Sequence, residues 1–112
     1  MGWLGFNRGP KVQRINAPAA LEHVQAGAQF IDVRNRREYK EGHAAGARNV
    51  ALNTLPNVLH TLDASKPVVC ICLSGVRSGK AAQLLIKNGF ETVYNVGGGS
   101  AAWKGHGLPW EG

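Results

Sequence analysis

The run Pro67-Val68-Val69-Cys70-Ile71-Cys72 most narrows the folds open to this chain. After its proline it is apolar on both faces and too short for a helix, the pattern of a strand buried between two helical layers. A turn of mostly small residues follows, and Ser78 to Asn88 then supplies good helix formers, with Ala81, Ala82, Leu85 and Ile86 available for burial. Gly89 stands where a left-handed residue stops that helix, and Phe90 is placed to cover Leu85. A strand wet on neither side, feeding a helix, calls for parallel neighbours and helical cover on both faces.

The rest of the chain keeps the same alternation. Val12 to Ile15 reads as a strand, and Asn16-Ala17-Pro18 as a helix start, with Asn capping and Pro in the first turn, and Leu21, Val24 and Ala28 facing inward. Phe30-Ile31-Asp32-Val33 is a short apolar run holding one carboxylate, Asn35 to Lys40 a polar helical turn, and Gly42 to Gly46 a loop. A strand at Asn49 to Leu52 and a helix over Leu55 to Leu62, with Pro56 in its first turn, come next. Thr92 to Val96 is another strand, and Gly97-Gly98-Gly99-Ser100 leads into a short helix through Trp103. The expected fold class is α/β: a small, mostly parallel sheet of about five strands with helices on both faces and right-handed crossovers. Residues 1–10 read as a loosely ordered lead-in from which Trp3, Leu4 and Phe6 can pack onto the domain, and residues 11–112 as one domain. At 112 residues and 44% hydrophobic content the chain has enough for one core and too little for two.

Composition excludes more than it selects. Thirteen Lys and Arg against seven Asp and Glu give a formal charge of +6, yet the cations are scattered and aromatics are only 7%, so a nucleic-acid platform is not expected. Attraction for a small anion survives. No apolar run is long enough for a membrane span, and the opening MGWLGFNRGP lacks the apolar stretch and cleavage site of a secretory signal. Cys70 and Cys72, two positions apart on one strand, cannot build a disulfide framework. A reducing, cytoplasmic setting is the expectation. His23, His43, His60 and His106 have no ligand spacing, so no metal is expected.

Ligands of parallel α/β sheets collect beyond the carboxyl ends of the strands, where Asp32 and Cys72 fall. A turn between the Cys72 strand and a helix opening at Ser78 must aim several backbone N–H groups at one point beside the helix N-terminus, an anion cradle. A thiol at its centre is favoured as thiolate, the nucleophilic form. Gly75 gives the backbone freedom to form the cradle, and Arg77 serves either as a brace to a carboxylate or as an attractor of anions. The competing reading, a small hydrophobe packed at a strand end, stays open on this pattern alone. Asp32 needs buried partners, which Arg34, Arg77 or loop amides can supply, and reads as a brace. Arg34 and Glu38 are spaced to pair on one helical face. Cys70 points the same way as Cys72 but deeper and reads as core; His43 reads as bonded to nearby backbone, Gly97 to Gly99 as pocket wall, and Trp103 and Trp110 as packing, with Trp103 lining the site.

The loop Cys72-Leu73-Ser74-Gly75-Val76-Arg77-Ser78 resembles the active-site loop of single-domain rhodaneses, sulfurtransferases that carry sulfur as a cysteine persulfide. Ile31-Asp32-Val33-Arg34, Glu38-Tyr39, Gly42-His43, Gly46-Ala47 and Asn49-Val50 resemble the opening signature of that family, and Gly89-Phe90, Val93-Tyr94-Asn95, Gly97-Gly98, Trp103 and Gly107-Leu108-Pro109 its closing one. The resemblance implies a nucleophilic Cys72, a substrate-binding loop of Leu73, Ser74, Gly75, Val76 and Arg77, supporting places for Asp32, Arg34 and Ser78, and no metal or organic cofactor. The implied partners are a small sulfur-containing anion such as thiosulfate, a thiol or cyanide, or a protein sulfur acceptor. Phosphatases and arsenate reductases of the same fold have a loop one residue longer; the four residues from Leu73 to Val76 suit the outer sulfur of a persulfide better than a phosphoryl group. A non-catalytic sulfur-carrier or interaction module is the other alternative. Leu73 stands where many relatives carry a basic or amide residue, which points from thiosulfate toward an apolar thiol or a partner protein's persulfide, and Ala44 replaces a larger aliphatic as a packing change.

Overall fold

A computed structural model describes residues 9–112. Residues 1–8, including Trp3, Leu4 and Phe6 of the expected lead-in, lie outside the described part. Five parallel strands form the main sheet in the order β1 (Val12–Ile15), β6 (Val93–Val96), β5 (Val68–Ile71), β2 (Gln29–Asp32), β4 (Arg48–Asn49). The α/β expectation and the parallel sheet hold. Every residue of the central strand β5 is buried, as an apolar run sandwiched between two layers must be.

Helices α1 (Ala17–Gln25) and α5 (Gly99–Gly105) cover one face, where Ala17, Ala20, Phe30, Val69, Ile71, Val96 and Trp103 make a core. Helices α3 (Leu55–Val58) and α4 (Val76–Lys87) cover the other, packing Leu55, Ala81, Ala82 and Leu85 onto Ile31, Val68, Cys70 and Val93. Local signals set the helix starts. The Asn16 side chain accepts from the Ala19 N–H at 2.9 Å, and Asn35 and Glu38 form a reciprocal capping box on α2 (Arg36–Lys40).

Several boundaries differ from the sequence expectation. The strand expected over Asn49 to Leu52 is a two-residue ladder starting at Arg48, although Val50 and Leu52 still donate to the Asp32 and Val33 carbonyls at 2.9 and 3.1 Å. The helix expected over Leu55 to Leu62 ends at Val58, where φ swings to −124° and a 3₁₀ turn, Leu59–Thr61, takes over. Within the segment expected to be loop, β3 (His43–Ala44) pairs antiparallel with β7 (Trp110–Glu111). No helix among the described residues is long and apolar enough to cross a membrane.

Candidate active site

Strand β5 ends at Ile71 and delivers Cys72 one residue beyond the ladder, on the α4 side of the sheet. Helix α4 begins at Val76, two residues before the expected start at Ser78, so Arg77 and Ser78 belong to its first turn. The link turns sharply at Gly75, whose φ of +106° suits only a residue without Cβ. That turn points the Gly75 N–H at the Cys72 sulfur, 3.1 Å away, and the Ser78 hydroxyl donates to the same atom at 3.3 Å.

These donors decide the state of the thiol. Burial alone pushes Cys72 up; the Ser78 hydroxyl and the backbone N–H groups of Ser78, Gly75 and Ser74 pull it down and prevail, so it ionises below the ordinary cysteine value. The N-terminus of the twelve-residue α4 acts in the same direction. Cys72 is itself 1% exposed, yet Leu73 and Val76 beside it are 51% and 67% exposed, the exposed large hydrophobics of the described residues. Both stand on the rim of one short loop.

The start of α5, where the glycine run ends, clamps this loop from beneath, while Gly97 and Gly98 line a cleft with Arg14 and Asn16. Ser100 donates to the Cys72 carbonyl through both its N–H, at 2.8 Å, and its hydroxyl, at 3.2 Å, and the Ala101 N–H reaches the Leu73 carbonyl at 3.3 Å. Gly99, at φ +57°, lies so close that a Cβ would sit 2.5 Å from the Leu73 carbonyl oxygen and closer still to that of Cys72. Trp103 does not line the site. It is fully buried in the opposite layer, 5.3 Å from Phe30 between ring centroids, with Nε1 donating to the Pro109 carbonyl at 2.7 Å.

Two ion pairs brace the surroundings, and the pairing differs from the one the spacing suggests. Arg34 does not meet Glu38; it folds inward onto fully buried Asp32, with Nη2 2.8 Å from Oδ2 and Nε 3.0 Å from both carboxylate oxygens, and also holds the Gly42 carbonyl at 2.7 Å. Asp32 also accepts from the Arg34 N–H at 2.9 Å, which completes the brace expected of it. Glu38 instead takes Arg77 in a bidentate grip at 2.6 and 2.9 Å, and this bond is the main reason its carboxyl is held down at about 2. His43 bonds the Tyr39 carbonyl through Nδ1 at 2.9 Å, as expected. A cleft lined by Leu73, Arg34, Glu41, Lys104 and Trp110 opens beside the loop. No group of three or more metal-binding side chains gathers among the described residues.

The motif assigns Asn95 no role, but the structure brings it to the loop. It pairs in register with Cys70, which puts its side chain on the α4 face; Nδ2 donates to the Gly75 carbonyl at 3.0 Å and Oδ1 accepts from the Ser78 hydroxyl at 2.5 Å. The available signal was a polar residue at an inward step of an otherwise apolar strand. Cys70 is core as expected, fully buried, and burial pushes its thiol far up.

The chain is similar to known proteins in sequence and in fold. The rhodanese-like domain model matches residues 16–106. The uncharacterized protein YqhL of Bacillus subtilis is 44% identical over 96 residues, covering 83% of this chain and 76% of its own. A thiosulfate sulfurtransferase, GlpE of Actinobacillus pleuropneumoniae, is 38% identical over 76% of this chain and 79% of its own. The crystal structure of a rhodanese-related protein from Thermoplasma volcanium superposes with a TM-score of 0.80 at 30% identity, over 88% of this chain and 97% of that one. With its Cys loop, its parallel sheet and these relatives, the chain belongs to the rhodanese-like domain family.

Proposed function

We propose that the protein is a sulfurtransferase in which Cys72 accepts a sulfane sulfur, holds it as a persulfide and passes it to a thiophile. The observation that carries this reading is the convergence of the Gly75 N–H and the Ser78 hydroxyl on one sulfur at a helix N-terminus, at 3.1 and 3.3 Å. In the first step the Cys72 thiolate attacks the outer sulfur of the donor, the donor's S–S bond breaks, and its electron pair leaves on sulfite or a thiolate. The new S–S bond places the negative charge on the outer sulfur, within reach of the loop amides. In the second step cyanide or a thiolate attacks that sulfur, and Cys72 departs as thiolate. Charge and atoms balance in both steps without a separate base or an oxidant.

The apolar rim of Leu73 and Val76 favours an organic persulfide or polysulfide over thiosulfate, since a hydrated dianion gains nothing from exposed aliphatic surface. Phosphoryl transfer is disfavoured: the Nη1/Nη2 fork of Arg77, which would grip a phosphate, is already engaged by Glu38. A module that never took sulfur onto Cys72 would have no use for a cysteine sulfur that receives both the Gly75 N–H and the Ser78 hydroxyl.

Intact mass measured after exposure to thiosulfate, polysulfide or a low-molecular-weight persulfide tests the reading. A gain of one sulfur is expected, lost on adding cyanide and absent in Cys72→Ala. Full thiosulfate:cyanide transfer by Cys72→Ser, or no adduct with any donor, sinks it.

A further inference from the structure

The Ser78 hydroxyl carries one proton and faces two acceptors, Sγ of Cys72 at 3.3 Å and Oδ1 of Asn95 at 2.5 Å. It can satisfy one at a time. Asn95 cannot turn to evade the choice, because its Nδ2 is tied to the Gly75 carbonyl at 3.0 Å, and a flipped amide would set oxygen against oxygen there. Gly75 in turn supplies the amide that donates to Sγ at 3.1 Å. One side chain, 7% exposed, therefore touches two of the residues whose groups act on the sulfur, Gly75 and Ser78.

We infer that Asn95 is a positioning residue that takes up the Ser78 hydroxyl bond when negative charge leaves Sγ and gives it back when charge returns. In the thiolate state Sγ is the stronger acceptor, so the hydroxyl turns to it and Oδ1 of Asn95 loses its donor. Once Sγ is bonded to a second sulfur it is a neutral, weak acceptor. The hydroxyl then rotates to Asn95, no covalent bond is made or broken, and every buried polar group of the trio is satisfied. The loaded state is the one in which nothing is left unpaired, so the pair biases Cys72 toward moving its charge outward onto the transferred sulfur. This deepens the proposed persulfide chemistry and takes its physiological meaning from it, but the rotation itself needs only a change of charge at Sγ.

The test follows the Asn95 side-chain carbonyl carbon by NMR in three states: free Cys72 at a pH where it is ionised, Cys72 capped as a methyl disulfide with methyl methanethiosulfonate, and protein treated with a low-molecular-weight persulfide, with the added sulfur counted by mass. A downfield shift is expected on capping and, in the same sense, on loading, because the carbonyl gains a donor. Ser78→Ala should abolish the shift, and Asn95→Ala should slow sulfur loading. A resonance that stays in place on capping, or that moves equally in Ser78→Ala, overturns the inference, and the native free-versus-capped comparison decides even where a variant does not fold. If capping moves the resonance while no donor adds sulfur, the positioning role stands and the sulfurtransferase reading falls.

Discussion

Cys70 and Cys72 sit two residues apart, face the same helical layer and are 0% and 1% exposed, yet burial drives the first thiol far up while the second lies below its ordinary value. Burial raises both, and raises Cys70, which lies deeper, more. The rest of the difference is the ladder. Cys70 lies inside β5, in register with Ile31 and Asn95, so the surrounding N–H groups are committed to neighbouring strands. Cys72 lies past the last rung, where the turn frees amides to aim at a side chain. In this chain the end of strand pairing separates a cysteine surrounded by committed amides from one that receives free ones.

The sharpest way to break that contrast is to remove each sulfur in turn. Cys72→Ser should lose sulfur transfer by about a thousandfold or more, the scale of losing a covalent nucleophile. Cys70→Ala should keep the transfer rate and cost only about 1–2 kcal/mol of stability from the small void it leaves. Iodoacetamide followed by mass counting gives the same answer in the native protein: one thiol labelled when folded, both after denaturation. Comparable labelling of Cys70 in the folded state would erase the distinction.

The clamp beneath the loop comes next. Gly99→Ala forces a Cβ into the Cys72 and Leu73 carbonyls, at a φ that L-residues rarely adopt. The loop must shift, at a cost of roughly 3 kcal/mol or more. Denaturant midpoints measure it, and a loss below about 0.5 kcal/mol, the range of inert surface changes, would mean the loop base is not rigid.

Ser78→Ala sharpens the comparison by deleting one donor. The thiol rises toward its ordinary value, and alkylation at neutral pH should slow by about tenfold, the worth of one charge-assisted hydrogen bond. The direction is fixed: below the thiol's pKa each unit of rise removes about nine-tenths of the thiolate, and above it the two rates converge. A pH–rate profile that does not move would show that the amides alone control the sulfur.

How far the sequence reaches depends on how local the cause is. The buried strand, the cap Asn16, and Gly75 at the turn are each read from a few neighbouring residues, because the physics that sets them acts within one turn or strand. The β3–β7 pairing joins His43 to Glu111, and nothing near either end of the chain signals the other. Likewise Arg34 and Glu38 have the spacing of a helical pair, but each finds a better-placed partner, Asp32 in the sheet and Arg77 across the loop. The role of Asn95 escapes notice for the same reason. Its partners are 17 and 20 residues away, and only the register of β6 brings them together.

The Glu38–Arg77 pair gives the smallest effect and separates bracing from donation. Its side chains are 25% and 37% exposed, so solvent screens them, and Glu38→Gln should cost no more than about 1 kcal/mol at neutral pH. Its signature is the pH dependence. Arg77 holds the folded-state carboxyl at about 2 against 4.5 when free, so the stability it contributes is complete above 4.5 and is lost as pH falls from there toward 2. Melting temperature measured across that window should fall more steeply for the wild type than for Glu38→Gln. Since Glu38 steadies the start of α4 without touching the sulfur, alkylation of Cys72 in the variant should stay within about twofold of wild type, a margin of less than a third of a pKa unit. A slowing as large as that of Ser78→Ala would mean that the cradle is held in shape by its outer brace, and that the free amides past the end of β5 are not sufficient to set the two cysteines apart.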